Sequence, residues 1–524
     1  MRRALCAVVV LTALAVVHDG RADAPEVVPP FESPAGTVTA TQLDYFFLAA
    51  QRKHGLVPAN PCSDEVFARR VFLDVIGTLP EPNDLRALLA DHAPDRRARL
   101  VDALLARDEF ADYWAMKWCD VLRVKSEFPI NLWPNAVQAY HRWIRDALRA
   151  NEPYDRFARD LLTSSGSNFR EPAVNFYRAI QGRGSAAIAS AAALTFMGAR
   201  AERWPKERRD GLALFFSRVA YKKTNEWKEE IVLDDPSPAD SFDAMLPDGS
   251  PATIPAGTDP RRVFADWLIS PKNPWFAKAV VNRIWAWLMG RGLVHEPDDI
   301  RPDNPAAVPE ALAYLEKELV DAHWDLRRVY RRILNSRTYQ QSPVPHGDAD
   351  AAEKLFACYP VRQLDAEVLI DALDWLGGTG ESYTSTTPEP YTFIPDDRRT
   401  IRLADGSITS PFLEMFGRPA RDTGLDSERV NAATDEQRLH LLNSTDVQRK
   451  IERSPRLRAA ADGARGDVIE AIRRMYLTVL SRHPLDTEIA VAQAYFKTPG
   501  RAPHEAATDL AWALVNSKEF LFRH

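Results

Sequence analysis

Apolar residues recur at helical spacing along most of this chain, most densely between residues 261 and 339. Val263, Phe264, Trp267 and Leu268 share one helical face, and Ser270-Pro271 ends that helix, because proline lacks an N–H and clashes with the preceding turn. A second helix is predicted over 274–289, where Phe276, Val280, Val281, Ile284, Trp285 and Leu288 fill a broad apolar face. Gly290 and Gly292 close it, since glycine accepts the left-handed conformation in which helices often end. Two more helices are predicted, over 309–322 and 326–335.

The same periodicity predicts helices earlier, over 41–54, 64–76, 95–106, 108–124 and 133–150, with an alanine-rich one over 185–198. Pro82 stands near a further helix start, where proline is tolerated. Phe110, Trp114, Trp118 and Val121 form an aromatic stripe that reads as core. Residues 168–183 read as loop. The stretch 221–258 changes character: it is polar and turn-rich, with a short strand expected at 229–233. After a helix to about 375, residues 391–393 and 400–403 are expected to pair as a hairpin, and helices then run onward. The fold class is therefore mostly α: two helical domains, 38–220 and 260–524, joined by a small β-containing linker over 221–259.

Composition adds little to that picture. The 524 residues are 45% hydrophobic and 27% charged, ordinary for a globular chain of two or three domains. A net charge of -6 argues against a general nucleic-acid binder. The N-terminus changes the compartment. Arg2 and Arg3, an apolar run over 4–17 and small residues ending at Ala22 read as a secretory signal peptide over 1–22, with an uncleaved membrane anchor as the competing reading. A proline-rich, extended lead-in follows over 23–37. No later apolar run is long enough to span a bilayer, so a secreted or periplasmic location is expected. Removing the signal leaves Cys62, Cys119 and Cys358, which allow at most one internal disulfide and require none.

Asn282 and Arg283 stand in the middle of the most apolar helix, where buried polar groups need partners. The acidic loop Asp298-Asp299-Ile300-Arg301-Pro302-Asp303-Asn304 offers them. It could tie loop to helix through an Arg283–carboxylate pair, or present oxygens to a cation, although its spacing matches no calcium loop. Gly-x-Ser-x-Gly, Walker A, Gly-x-Gly-x-x-Gly and His-Glu-x-x-His patterns are not found. A glycosidase pair of carboxylates remains open, because its members lie far apart in sequence.

Ordered motifs carry a resemblance. In the second half they include Ala265-Asp266-Trp267-Leu268, Val281-Asn282-Arg283-Ile284-Trp285, Gly290-Arg291-Gly292-Leu293-Val294, the acidic loop itself and Asn335-Ser336-Arg337-Thr338-Tyr339. In the first half they include Phe72-Leu73-Asp74-Val75-Ile76-Gly77-Thr78-Leu79-Pro80 and Phe110-Ala111-Asp112-Tyr113-Trp114; nearer the end stand Phe416-Gly417-Arg418-Pro419-Ala420-Arg421 and Ser481-Arg482-His483-Pro484. The chain resembles planctomycete-type secreted proteins that pair the domain-of-unknown-function families 1549 and 1553 and are often associated with a cytochrome c domain.

The resemblance implies a Cys-x-x-Cys-His segment after the equivalent of Phe196-Met197-Gly198, a text that would attach haem c or bind metal. Here the chain reads Gly198-Ala199-Arg200-Ala201-Glu202-Arg203-Trp204-Pro205. A second family run, Cys-x-Cys-Glu-Arg, is represented by Asp426-Ser427-Glu428-Arg429, which keeps only Glu-Arg. A chain without haem or thiolate-bound metal is expected, with no cofactor assigned. The candidate binding residues are the polar positions of the pattern: Arg283, Asp298, Asp299, Asp303, Asn304, Arg337, Arg418, Glu428 and Arg429. The expectation is a secreted interaction or scaffold protein with envelope or other secreted proteins as partners. The alternative is an extracellular hydrolase acting on polysaccharide through carboxylates of the second domain. The enzyme requires these residues to line one concave pocket with perturbed carboxylates.

Overall fold

The computed structural model describes residues 27–34, 36–237, 240–388, 390–392, 394 and 399–524; the expected signal peptide and residues 23–26 of the lead-in lie outside them. The chain is mostly helical, with three small antiparallel sheets. Local chemistry sets many helix ends. Ser63 caps the helix Asp64–Ile76 by accepting from the Val66 N–H, and Gly77 closes it at φ +61°. Pro82 opens the helix Pro82–Ala90 at a position where its missing N–H costs nothing. The helix Phe276–Met289 ends on Gly290 at φ +73°.

Packing follows the apolar stripes. Trp114 and Trp118, on the helix Asp108–Val121, are buried, and both indoles pack on Trp287 of the helix Phe276–Met289. On the same helix Trp285 stacks on Phe47, at 4.9 Å between ring centres, and meets Phe356 edge-on. One continuous cluster of buried apolar residues runs from Leu43 to Leu521 and takes side chains from both halves of the sequence. Removing that much apolar surface from water is the main force holding the halves together.

The polar stretch after residue 218 does form strands. Val219–Lys223 and Glu230–Asp234 pair, and Gly166–Ser167 adds a third strand on the other side of Glu230–Asp234. Phe242–Met245 and Pro251–Ile254 make a separate hairpin. The loop expected over 168–183 contains a 3-10 turn, Pro172–Val174, and a short helix, Asn175–Arg178. A last ladder joins Arg362–Gln363 to Phe522–Arg523.

The expected hairpin of 391–393 with 400–403 is not formed. Thr400–Arg402 is a 3-10 turn, and Phe393 lies outside the described residues. The Thr400 and Ile401 N–H groups, which a ladder would need, donate instead to the buried Asp371 carboxylate at 2.6 and 3.3 Å. Cys62, Cys119 and Cys358 are buried and free. Among the described residues no helix is long and apolar enough to cross a membrane.

Candidate functional site

Arg283 is held by the middle of the helix Phe276–Met289 and is 1% exposed. Its guanidinium donates to Asp298 Oδ1 at 2.6 Å and to the Thr195 and Leu194 carbonyls at 2.8 and 3.3 Å. The other Asp298 oxygen accepts from the Asp426 N–H at 2.6 Å. Asn282 is satisfied by the stretch just before that loop: it donates to Val294 O at 3.0 Å and accepts from Val294 N at 2.9 Å. Both buried polar residues of the apolar helix thus find partners, as burial demands. Of the two readings of the acidic loop, the tie to Arg283 is the one realised at Asp298.

The other candidate residues of the loop, Asp299, Asp303 and Asn304, are half-buried or exposed. Asp299 pairs with Arg203 and Arg301 at 2.9 and 3.1 Å, Asp303 pairs with Arg301, and Asn304 donates to the His295 and Asp299 carbonyls. Among the described residues no group of three His, Cys, Asp or Glu side chains is arranged to hold a metal ion.

Arg418, Glu428 and Arg429 gather on the segment that Asp298 also grips. Arg429 donates to Glu367 Oε2 and to Asp120 Oδ2, each at 2.7 Å. Arg418 donates to Glu367 Oε1 at 3.2 Å, and Arg421 to Asp120 Oδ1 at 2.8 Å. Glu428 accepts from the Asp422 and Thr423 N–H groups and so folds its own turn. Burial would raise the Glu367 carboxyl, but Arg429 and Arg418 hold it down at about 2. Beside them Asp426 accepts from the Trp287 indole at 3.1 Å; burial and the nearby Asp298 charge push its carboxyl up. Arg283, Asp298, Arg418, Glu428 and Arg429 therefore form a chain of contacts along residues 418–431. Asp299, Asp303 and Asn304 stay on the loop surface. Arg337 joins neither group; its main-chain N–H donates to Asp44 at 3.0 Å.

Sequence reasoning passed over a second set of buried charges. Asp365, fully buried, accepts from Lys117 at 2.8 Å, Arg523 at 2.9 Å, Tyr113 at 3.0 Å and Asn431 at 3.1 Å. Burial alone would raise its carboxyl; Lys117, Arg523 and Arg429 hold it well below the usual range. The available signal was a charge inside an apolar helix, Lys117 between Met116 and Trp118, of the kind that singled out Arg283.

A cavity of about 300 Å³ lies elsewhere, where the turn after the helix Asp64–Ile76, the start of the helix Asp108–Val121 and the helix Ala366–Gly377 meet. Glu81, Glu109, Asp371, Asp374, Trp375 and Arg399 are among its lining. None of the nine candidate residues lines it. Burial raises the Asp371 carboxyl to about 6 against the pull of Arg399, whose Nε is 3.3 Å away. Burial also raises Asp374, one turn along the same helix, although Lys450 is bonded to it. A carboxyl that titrates near 6 can both give and take a proton near neutral pH.

Two family models match the chain. One, described as a protein of unknown function (DUF1549, PSCyt2), matches residues 42–202. The other, described as a protein of unknown function (DUF1553, PSD1), matches residues 260–496. No curated protein and no solved structure matches it. Two domains in one chain, in this order and together spanning most of its helices, place the protein in the paired DUF1549–DUF1553 family.

Proposed function

We propose that this chain is a secreted or periplasmic interaction protein, a helical scaffold that works with other envelope or extracellular proteins. The observation that carries the reading is the state of Asp298. Both of its oxygens are engaged at 2.6 Å, one by Arg283 and one by the Asp426 N–H. The polar residues that carry the family resemblance in this region hold the 418–431 segment in place. The compartment rests on the N-terminal pattern of Arg2, Arg3 and the following apolar run. The test is to express the full chain in a secreting host, locate the processed protein by fractionation, and cross-link it in place. Reproducible cross-links to defined envelope or secreted proteins are expected. A protein retained in the cytoplasm, or one cross-linked to nothing in the exported fractions, would overturn the proposal.

A second reading, an extracellular hydrolase acting on polysaccharide, is favoured by a different pair of second-domain carboxylates. Asp371 and Asp374 line the cavity with raised carboxyls, and glycoside hydrolysis needs one carboxyl kept protonated as an acid. Asp298, Asp299 and Asp303 take no part in this version. Release of reducing ends from extracellular polysaccharides by the purified chain, lost in Asp371→Asn with the melting temperature retained, would establish it. Wild-type protein that releases none would dismiss it.

A further inference from the structure

The cavity of about 300 Å³ beside the helix Ala366–Gly377 changes character with depth. Glu81 and Asp84 are exposed at it, Glu109 is half-buried, and Asp371 and Asp374 are buried, each 7% exposed. The buried Phe72 and Leu79 and the half-buried Trp375 supply an apolar wall. Trp375 is fixed there: its indole donates to Glu81 at 2.9 Å, and the Arg456 guanidinium carbon lies 4.0 Å from its ring centre. A wall held in place before a ligand arrives costs the complex less ordering.

Among the described residues the lining carries those five carboxylates against two guanidiniums, Arg107 and Arg399. The guanidiniums do not balance it. Arg107 pairs with Glu109 at 2.5 Å; Arg399 Nε lies 3.3 Å from Asp371, and another arm of Arg399 donates to the Gly77 carbonyl at 2.8 Å. Lys450 and Arg456 reach Asp374 and Glu81 from outside the lining. Burial raises the Asp371 and Asp374 carboxyls in spite of these partners, so negative charge at depth is under-compensated. An occupant with a positive head would stabilise it, and a neutral one would not. An apolar stem would cover Phe72, Leu79 and the indole, a surface that also attracts cations. An alkyl stem ending in a cation is the chemistry of lysine and arginine side chains. The volume is at the small end for ligand sites and suits one side chain rather than a length of polymer.

We propose that this cavity receives one lysine or arginine side chain of a partner protein, its stem along Trp375 and its charged head toward Asp371 and Asp374. The inference rests on the interaction reading and gives the cavity of the hydrolase reading a different occupant. The test is saturation-transfer NMR on the full purified chain. The probes are N-acetyl-lysine methylamide, N-acetyl-arginine methylamide and the uncharged N-acetyl-norleucine methylamide. Transfer to the side-chain methylenes of at least one basic probe, and none to the norleucine probe, is expected. Asp374→Asn should weaken the dissociation constant of the bound probe at least about tenfold. Should that variant lose its thermal transition, Asp84→Arg, which reverses an exposed charge at the cavity, should weaken it about threefold. Equal transfer to the norleucine probe, binding unchanged in the folded variant, or no transfer to either basic probe would overturn the proposal. Cross-linking tests the interaction reading separately. A chain that cross-links to envelope proteins but binds neither basic probe loses this proposal alone; one that binds a probe but cross-links to nothing loses the partner.

Discussion

Lys117 and Asp365 meet at 2.8 Å although they lie 248 residues apart, and both are buried. The pair fixes the helix Asp108–Val121 against the start of the helix Ala366–Gly377. Removing one partner of a buried ion pair leaves the other charge uncompensated, which costs about 3–5 kcal/mol. Asp365→Asn should pay close to that in urea unfolding, because Arg523 and Arg429 lose their carboxylate along with Lys117. Lys117→Met should cost less, since Asp365 keeps both arginines. The reverse order would show that Asp365 is not the centre of the network.

Asp371 and Glu367 act on stability in opposite directions with pH. Glu367 titrates lower in the folded chain than in the unfolded one, so its contribution is full above the ordinary carboxylate range and is lost as pH falls through about 2; Asp365 is shifted in the same direction. Asp371 titrates near 6 when folded, above the ordinary 3.8 of an aspartate. Its contribution is therefore full below about pH 4 and is lost as pH rises through 6. A displacement of that size corresponds to at most about 3 kcal/mol between pH 4 and 7. Asp371→Asn should flatten the stability profile in that window and leave the fall below pH 4 intact. A variant profile parallel to wild type between pH 4 and 7 would refute the assignment.

How far the sequence carries depends on what each residue answers to. Phe110, Trp114 and Trp118 were readable because burial of a helix face imposes a 3.6-residue period on the chain itself. Arg283 and the acidic loop were readable for a related reason: a lone charge in an apolar helix demands a partner, and the loop supplied one within 15 residues. The Thr400 turn was not. Its N–H groups are taken by Asp371, 29 residues away, and no local pattern records that competition. The cavity was invisible for the same reason. Glu81, Glu109 and Asp371 become neighbours only when three elements pack; Glu81 and Glu109 read alone as solvated helix-end carboxylates, and Asp371 as a mid-helix charge with no local partner.

Gly417 stands at φ +83°, and a Cβ added there would lie 1.8 Å from the Val430 carbonyl oxygen. That oxygen belongs to backbone on the segment anchored by Arg429, so it has little freedom to retreat. Gly249 has a similar φ, +86°, but open space around it. Gly249→Ala should cost about 1 kcal/mol for the left-handed backbone alone, whereas Gly417→Ala should cost at least about 2 kcal/mol more. Equal losses in denaturant unfolding would mean that the 418–431 segment moves away from Gly417 easily.

Cys62, Cys119 and Cys358 give the packing a chemical readout. All three are buried, and burial pushes the Cys119 and Cys358 thiols up to about 12. The thiolate is the reactive form, so at pH 8 these two should be almost wholly protonated as well as inaccessible. Iodoacetamide added to the native protein should leave Cys119 and Cys358 unlabelled in peptide mass analysis, while the same treatment in concentrated urea should label both. Cys119 sits between Trp118 and Asp120 on the helix that carries Lys117, so it also reports on the charge network. Asp365→Asn should admit the reagent to Cys119 before Cys358 as urea rises. Simultaneous labelling would show that the network and the rest of the core unfold as one unit.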